Sequence, residues 1–342
     1  MIRWWRLPPL FALLAGCGHY RDFTLPAPAG VPAEVHYIWK AQPDPVLMPG
    51  APGEWDAVDV LNPSVIRRGA SLLNLYSGFD GKTWRTGLAT SADSVSWTKA
   101  GMVLQPDPGS WEGSGIAANG SAVSDGGEIL YYYQAGKPPR IGMARSSNGR
   151  EWTKRGNAVL DLGSHGSWDE RGVADPYVVR VGSAWVLYYL GMDRARRQRL
   201  GVATSEDGVT WYKLRSNPVL ELGEYGAFDE NGLGEPAVWE AHGYYWMLYA
   251  GRDRGEVRRL GMARSRDGVH WEKIGQPIAG DVAWNAKTLC DPTVLMENGH
   301  VRVWFGGGDV AHPAENVHGR IGIAELVEET GIPAGAGGIQ HP

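Results

Sequence analysis

Five polar residues recur along this chain at nearly equal spacing: Asn62, Asn119, Asp175, Glu235 and Asp291. Four are followed by proline, and each opens an apolar run, as in "ADPYVV" and "GEPAVW". A position that only caps a strand should repeat one residue, whereas this one changes between amide, Asp and Glu. Carboxyls gathered at one place raise one another's pKa, so one stays protonated as a donor while another, ionised, activates water or attacks. Asp175, Glu235 and Asp291 are the carboxyls of this set. Asn62, Asn119 and Asp291 would complete a polar ring that contacts the substrate.

These residues are positioned by a repeat. The segments "RTGLATSADSVSWTK", "RIGMARSSNGREWTK", "RLGVATSEDGVTWYK" and "RLGMARSRDGVHWEK", with a truncated "RIGIAEL", place glycines at 87, 142, 201, 261 and 322. Each full copy reads as a strand, a tight turn on Asp-Gly, Asn-Gly or Asp-Ser, and a strand carrying Trp, which is a hairpin signature. Two further apolar strands precede each hairpin, as in "PYVVRV" and "AWVLYYLG". Four antiparallel strands recurring five times, with no helical stretch between, imply an all-β fold: a five-bladed β-propeller. The last copy lacks its fourth strand, and "YIWKAQPDPVL" at residues 37–47 matches the missing pattern. The N-terminal strand is therefore expected to close the ring and remove an open edge.

A second polar position lies seven or eight residues before the first, in Trp55-Asp56, Trp111-Glu112, Trp168-Asp169, Phe228-Asp229 and Trp284-Asn285. Its near-constant chemistry reads as scaffolding at the joints between blades. The loops between second and third strands open on the same face as the ring, and their Asp80, Asp193, Asp253 and Asp309 read as turn formers. Arginines of these loops, among them Arg196, Arg197, Arg252 and Arg258, read first as solvated charge and second as a site for an anionic sugar. Of 16 tryptophans, Trp84 and Trp239 alone fall outside the repeat positions or the second strands and the leader. They are the better candidates for ligand contact, and Trp239, Arg171, Arg252 and His318 are expected at the substrate.

The five blades, the acidic ring and the "ADP" and "GEP" motifs over residues 35 to 327 resemble five-bladed glycosidase propellers of glycoside hydrolase families 43, 62, 32 and 117. The resemblance to family 43 implies a general base in blade one, an orienting Asp in blade three at Asp175, and a general acid in blade four at Glu235. Blade one departs, since "DVLNPSV" puts Asn62 where the base should be. Asp59, three residues earlier, is the expected substitute, with Asp291 the second choice. The resemblance thus implies a glycoside hydrolase acting on an oligo- or polysaccharide, inverting if water fits between the pair. The alternative is a glycan-binding protein that has lost its base. The turn "SEDGVTW" is similar to the sialidase Asp-box, but five repeats do not make a six-bladed sialidase. No cofactor is expected. Some family 43 members hold an axial ion, and His312 and His318, six apart, read as ordinary loop histidines.

The N-terminus "MIRWWRLPPLFALLAGCG" reads as a signal peptide over residues 1–16, with Leu14-Ala15-Gly16-Cys17 resembling the lipobox of bacterial lipoproteins. Lipidation at Cys17 leaves Cys290 without a disulfide partner. Residues 17–34, rich in Pro and Ala, are expected as a tether, 35–328 as the propeller and 329–342 as a loose tail. The expected setting is export to the outer membrane, periplasm or cell surface, with only a lipid in the membrane. The formal charge of −5, or −7 once Arg3 and Arg6 are removed, points away from nucleic acid. The expected partner is a carbohydrate, bound by a monomer.

Overall fold

The computed structural model describes residues 19–329. The fold is all-β, and among the described residues the one helical element is a 3-10 turn at Ala283–Asn285. After β1 (Tyr20–Arg21) and β2 (His36–Ala41), a first unit contains β3 (Asp59–Arg68), β4 (Ser71–Phe79), β5 (Trp84–Ser91) and β6 (Thr98–Leu104). The second contains β7 (Ile116–Asp125), β8 (Glu128–Ala135), β9 (Arg140–Ser146) and β10 (Thr153–Lys154). The third runs through β11 (Gly172–Val181), β12 (Ala184–Met192), β13 (Gln198–Ser205) and β14 (Tyr212–Leu214). The fourth has β15 (Gly232–Ala241), β16 (Tyr244–Arg252), β17 (Arg258–Ser265) and β18 (Trp271–Ile278). A fifth has β19 (Thr288–Glu297), β20 (His300–Gly308) and β21 (Arg320–Glu329).

Within each unit successive strands pair antiparallel. The fourth strand beside β21 is β2, in register from His36↔Glu329 to Ala41↔Ala324. Units one and two also touch through a two-residue parallel pairing of β5 with β7. The first strands pack each beside the next, β3 by β7, β7 by β11, β11 by β15, β15 by β19, and β19 beside β3.

The hairpin turns form for the reason their sequence suggests. In unit three the Asp207 carboxylate accepts the N–H groups of Val209 and Thr210 at 2.8 and 2.7 Å, while Ser205 Oγ accepts that of Gly208. The repeat glycine at 201 is required by close approach: a Cβ there would lie 2.4 Å from the Trp168 ring. Second strands then reach the turn of the next unit, with Tyr132 donating to Gly208 O, Tyr188 to Gly268 O and Trp304 Nε1 to Ser94 O.

The stretch read as a tether behaves differently from Tyr20 onward. β1 pairs parallel with β14, Leu25 is buried against Gly268, and Tyr245 donates to Pro26 O at 2.7 Å. The reason lies in the split fifth unit. Its third and fourth strands come from opposite ends of the chain and form no hairpin turn, so this segment receives the contact that a turn receives elsewhere. Cys17 and the 330–342 tail lie outside the described residues.

Candidate active site

The ring positions are not strand caps but the fourth residue within each of the five first strands. All five have left-handed backbone, with φ of 49° at Asn62, 48° at Asn119, 48° at Asp175, 55° at Glu235 and 51° at Asp291. Each coincides with a break in strand register, as between Ala174 and Tyr177 or Gly234 and Ala237. A bulge of this kind turns one side chain out of the alternation, and such backbone outside glycine costs about 1–3 kcal/mol per residue. Five repetitions of a strained conformation at one level point to a use for these side chains.

Hydrogen bonds join the side chains into a chain. Asn119 Nδ2 donates to Asp175 Oδ1 at 2.6 Å, and the Glu235 N–H donates to Asp175 Oδ2 at 3.2 Å. The Asp291 N–H donates to Glu235 Oε2 at 3.0 Å. Asn62 donates to Asp291 twice, through Nδ2 at 2.6 Å and N–H at 3.2 Å. Both oxygens of Asp175 and of Asp291 are thus engaged, whereas Glu235 Oε1 takes no hydrogen bond from the described residues. The Glu235 and Asp291 carboxylates and Cys290 Sγ lie within 4.8 Å of one another.

Above the ring opens a pocket of about 980 Å³ whose floor includes all five ring residues. Lys82, Trp84, Trp111, Lys137, Gln198 and Arg252 line its walls. Trp84 stacks on Phe79 with centroids 4.7 Å apart. Arg252 donates to Glu256 at 2.6 Å and to Gln198 at 2.7 Å, which holds its guanidinium at the wall. Arg258 is buried beside the acids and donates to His312 O and Pro313 O at 3.0 and 2.5 Å. The loop it grips, between β20 and β21, brings Pro313, Ala314 and Glu315 to the pocket.

Burial, then the charge of Glu235, pushes the Asp175 carboxyl up to about 7, against the opposing hydrogen bonds from Asn119 and the Glu235 N–H. Asp291 is raised well above the usual carboxylate range for the same two reasons. Burial opposes the charge of Arg258, but the negative charge of Glu235 and Asp291 holds its pKa above the ordinary value. A carboxyl whose folded pKa is raised favours the folded state below its unfolded pKa and loses that contribution as pH rises through the folded one. The Asp175 contribution to stability should therefore fall between about pH 4 and 7. Asp175→Asn removes it, so urea midpoints of variant minus wild type should climb over that window. A flat difference would contradict the assignment.

Several expected site residues lie elsewhere. Asp59 is fully buried and takes N–H bonds from Asn316 at 2.6 Å and Gly319 at 2.7 Å, so it anchors the loop between β20 and β21 and does not line the pocket. Trp239 lies four residues beyond Glu235 along β15 and is buried between Tyr37 and Trp246, a core residue. Arg171 is exposed outside the pocket lining, and His318 pairs with Asp309 at 2.7 Å with its side chain mostly exposed. The structure brings together Asn62, Asn119, Asp175, Glu235, Asp291 and Arg252. Glu315, Lys82 and Lys137 were not singled out, although they belong to the second-to-third-strand loops already expected at this mouth.

The acids of the second position are scaffolding in a specific way. Asp169 accepts from Tyr189 at 3.2 Å and Lys213 at 2.6 Å; Asp56 and Asp229 do the same with Tyr76 and Lys99, and with Tyr249 and Lys273. Glu112 accepts from Tyr133 and Lys154. In unit five all three members change together, to Asn285, Phe305 and Ala41, as register with Gly322 and Ala324 shows. Charge and counter-charge are lost as a set, as expected if their business is only with one another.

With this geometry in view, the chain matches the glycosyl hydrolases family 32 N-terminal domain over residues 75–290. It belongs to that family. An uncharacterised protein of Mycobacterium tuberculosis is 30% identical over 232 residues, 62% of this chain and 75% of that protein. A 1,2-beta-oligomannan phosphorylase of Thermoanaerobacter is 23% identical over 290 residues, 78% of this chain and 92% of that one. Among solved structures, a member of the GH130 family of mannoside phosphorylases, which contains glycoside hydrolases targeting β-1,2 mannosidic linkages in Candida mannan, superposes with a TM-score of 0.69. It is 17% identical and covers 87% of this chain and 96% of its own. The neighbours among solved structures are β-propeller glycoside hydrolases, and the likeness to them is one of fold.

Proposed function

We propose that this family 32-type domain is a five-bladed propeller closed by β2, and that it cleaves a glycosidic bond in the pocket at its axis. The observation that carries this is the difference among the three consecutive acids of the ring. Asp175 and Asp291 spend both oxygens on the ring, whereas Glu235 keeps Oε1 free of protein donors at the pocket floor. Glu235 is the proton donor to the leaving oxygen on this reading. Asp175, tied to the Glu235 backbone, orients and tunes it. Asn62 and Asn119 hold the carboxylates with their amides.

The attacking group needs a different source from the one expected. Asp59 is sealed under the loop, and Asp291 lies within 4.8 Å of Glu235, closer than the ~5 Å or more that separates acid and partner across a sugar. Glu112 is engaged by Tyr133 and Lys154. Glu315 is left: it lines the pocket and forms no hydrogen bond or ion pair with the described residues. We assign it the role of base to a water molecule, which makes the reaction a hydrolysis with inversion. Phosphorolysis is a second reading. It is favoured by the amide at position 62 and by Lys82, Lys137 and Arg252 in the pocket, since phosphate arrives as an anion and needs no base. We keep lipid anchoring at Cys17 as a proposal from the sequence.

Product analysis on β-1,2-mannooligosaccharides, arabinooligosaccharides and uronate-bearing fragments, with and without inorganic phosphate, separates the readings. Hydrolysis gives free sugar at the same rate in both, and Glu315→Gln lowers it about 10²-fold or more. Sugar 1-phosphate formed only with phosphate, unaffected by that substitution, would establish the second reading. Binding without turnover of any member would leave a glycan-binding protein.

A further inference from the structure

We infer that unit four carries a second saccharide site on its flank, one that holds a neutral segment of a glycan chain outside the central pocket. The inference rests on the carbohydrate-active reading above. A cleft of about 680 Å³ lies between the 223–229 loop, β17 and β18, and it shares no lining residue with the pocket over the ring. Pockets that hold small ligands span roughly 300–1,000 Å³.

The other units show how the cleft arises. In unit three Trp168 covers this place, and Asn217 closes it by bonding the backbone of Val202 and approaching Tyr189 Oη. Unit four departs from that arrangement three times, and every departure removes volume. Phe228 replaces the tryptophan that the other four units carry. Gly275 stands where unit three has Asn217, with nothing within 4 Å of where its Cβ would be. The connection from Lys273 to Ile278 is two residues shorter than that from Lys213 to Leu220, which pair with equivalent residues of β17 and β13. Unit one shares the short connection and, in Gly101, the glycine, but keeps Trp55. Only unit four combines all three.

The lining selects the ligand. Phe228, half-buried and backed by the buried Tyr249 ring, supplies aromatic surface against which a sugar ring can pack. Lys273 is paired with Asp229 at 2.5 Å and Arg259 with Asp253 at 3.0 Å, so each cation of the cleft already has its carboxylate. Such pairs still offer donors and acceptors to hydroxyl groups but leave no net charge for an anion, which favours a neutral polyol. Tyr225, 84% exposed, projects from the same rim loop with the Arg254 guanidinium 4.6 Å from its ring centroid. An aromatic ring held open to solvent beside the cleft extends the surface for a second sugar residue.

The test fills the cleft as unit three fills it. Phe228→Trp with Gly275→Asn restores both residues, and Asn tolerates the φ of 68° found at Gly275. Affinity electrophoresis through soluble mannan, in a Glu235→Gln background that leaves the polymer intact, should show binding weakened at least about fivefold by the filling, while binding of polygalacturonate stays unchanged. Turnover of short oligosaccharides by the filled enzyme should match the wild type. If the filled protein does not fold, Arg259→Gln at the rim should weaken mannan binding about threefold. Equal retardation of filled and unfilled protein, no retardation of either, or a loss seen on polygalacturonate alone would overturn the inference and leave the enzyme reading standing. Protein that binds mannan through this cleft but cleaves nothing would refute the enzyme reading instead.

Discussion

Glu235→Gln should lower kcat about 10³-fold, while the dissociation constant for an uncleaved oligosaccharide moves less than about threefold. The side chain keeps its shape, and a glutamine carbonyl still accepts the Asp291 N–H that now bonds Oε2. What disappears, on the proposed reading, is the acid group at Oε1, the one carboxyl oxygen among the three acids that takes no hydrogen bond from the described residues. Asp175→Asn should cost less, about 10²-fold, because Asp175 acts through Glu235 rather than on the substrate. Loss of binding in step with loss of turnover would mean that the ring is a recognition surface only.

The second large effect is on stability. Lys213→Ala leaves the Asp169 carboxylate, which is fully buried, without its counter-charge and with only the hydroxyls of Tyr189 and Ser167. Breaking one partner from a buried pair costs about 3–5 kcal/mol, whereas replacing the whole set with apolar groups is often close to neutral. The molecule already contains that replacement in unit five. Asp169→Asn, Tyr189→Phe and Lys213→Ala together should therefore unfold at higher urea than Lys213→Ala alone, recovering about 2 kcal/mol or more. A triple variant no more stable than the single one would show that Lys213 contributes through other contacts, of which its bond to Asp161 O at 2.7 Å is the first candidate.

The repeat made the strand pattern readable because each unit states it again. Gly201, Asp207 and Trp211 predict their hairpin, and the same signals recur in three other copies. The ring was readable for a related reason: residues at one repeat position must meet at one level. The bulge was not, since no side-chain pattern announces a left-handed backbone at a Glu followed by Pro. Contacts across large sequence separation were the other blind spot. Asp59 looked like a spare base because its partners, the amides of Asn316 and Gly319, lie more than 250 residues away. Trp239 looked unassigned because its neighbours in space, Tyr37 and Trp246, include one from the far end of the chain. Residues 20–33 looked like linker by composition, yet they substitute for a turn that the split fifth unit cannot form. Arg258 was visible as one charge in a rim cluster; its burial beside three acids was not.

The most direct test of proton donation by Glu235 varies the leaving group. On a natural glycan, whose leaving alkoxide needs a proton, Glu235→Gln should fall about 10³-fold in kcat/KM; on a dinitrophenyl glycoside of the same sugar, whose phenolate departs unaided, it should fall less than about tenfold. Equal losses on both substrates would contradict the assignment.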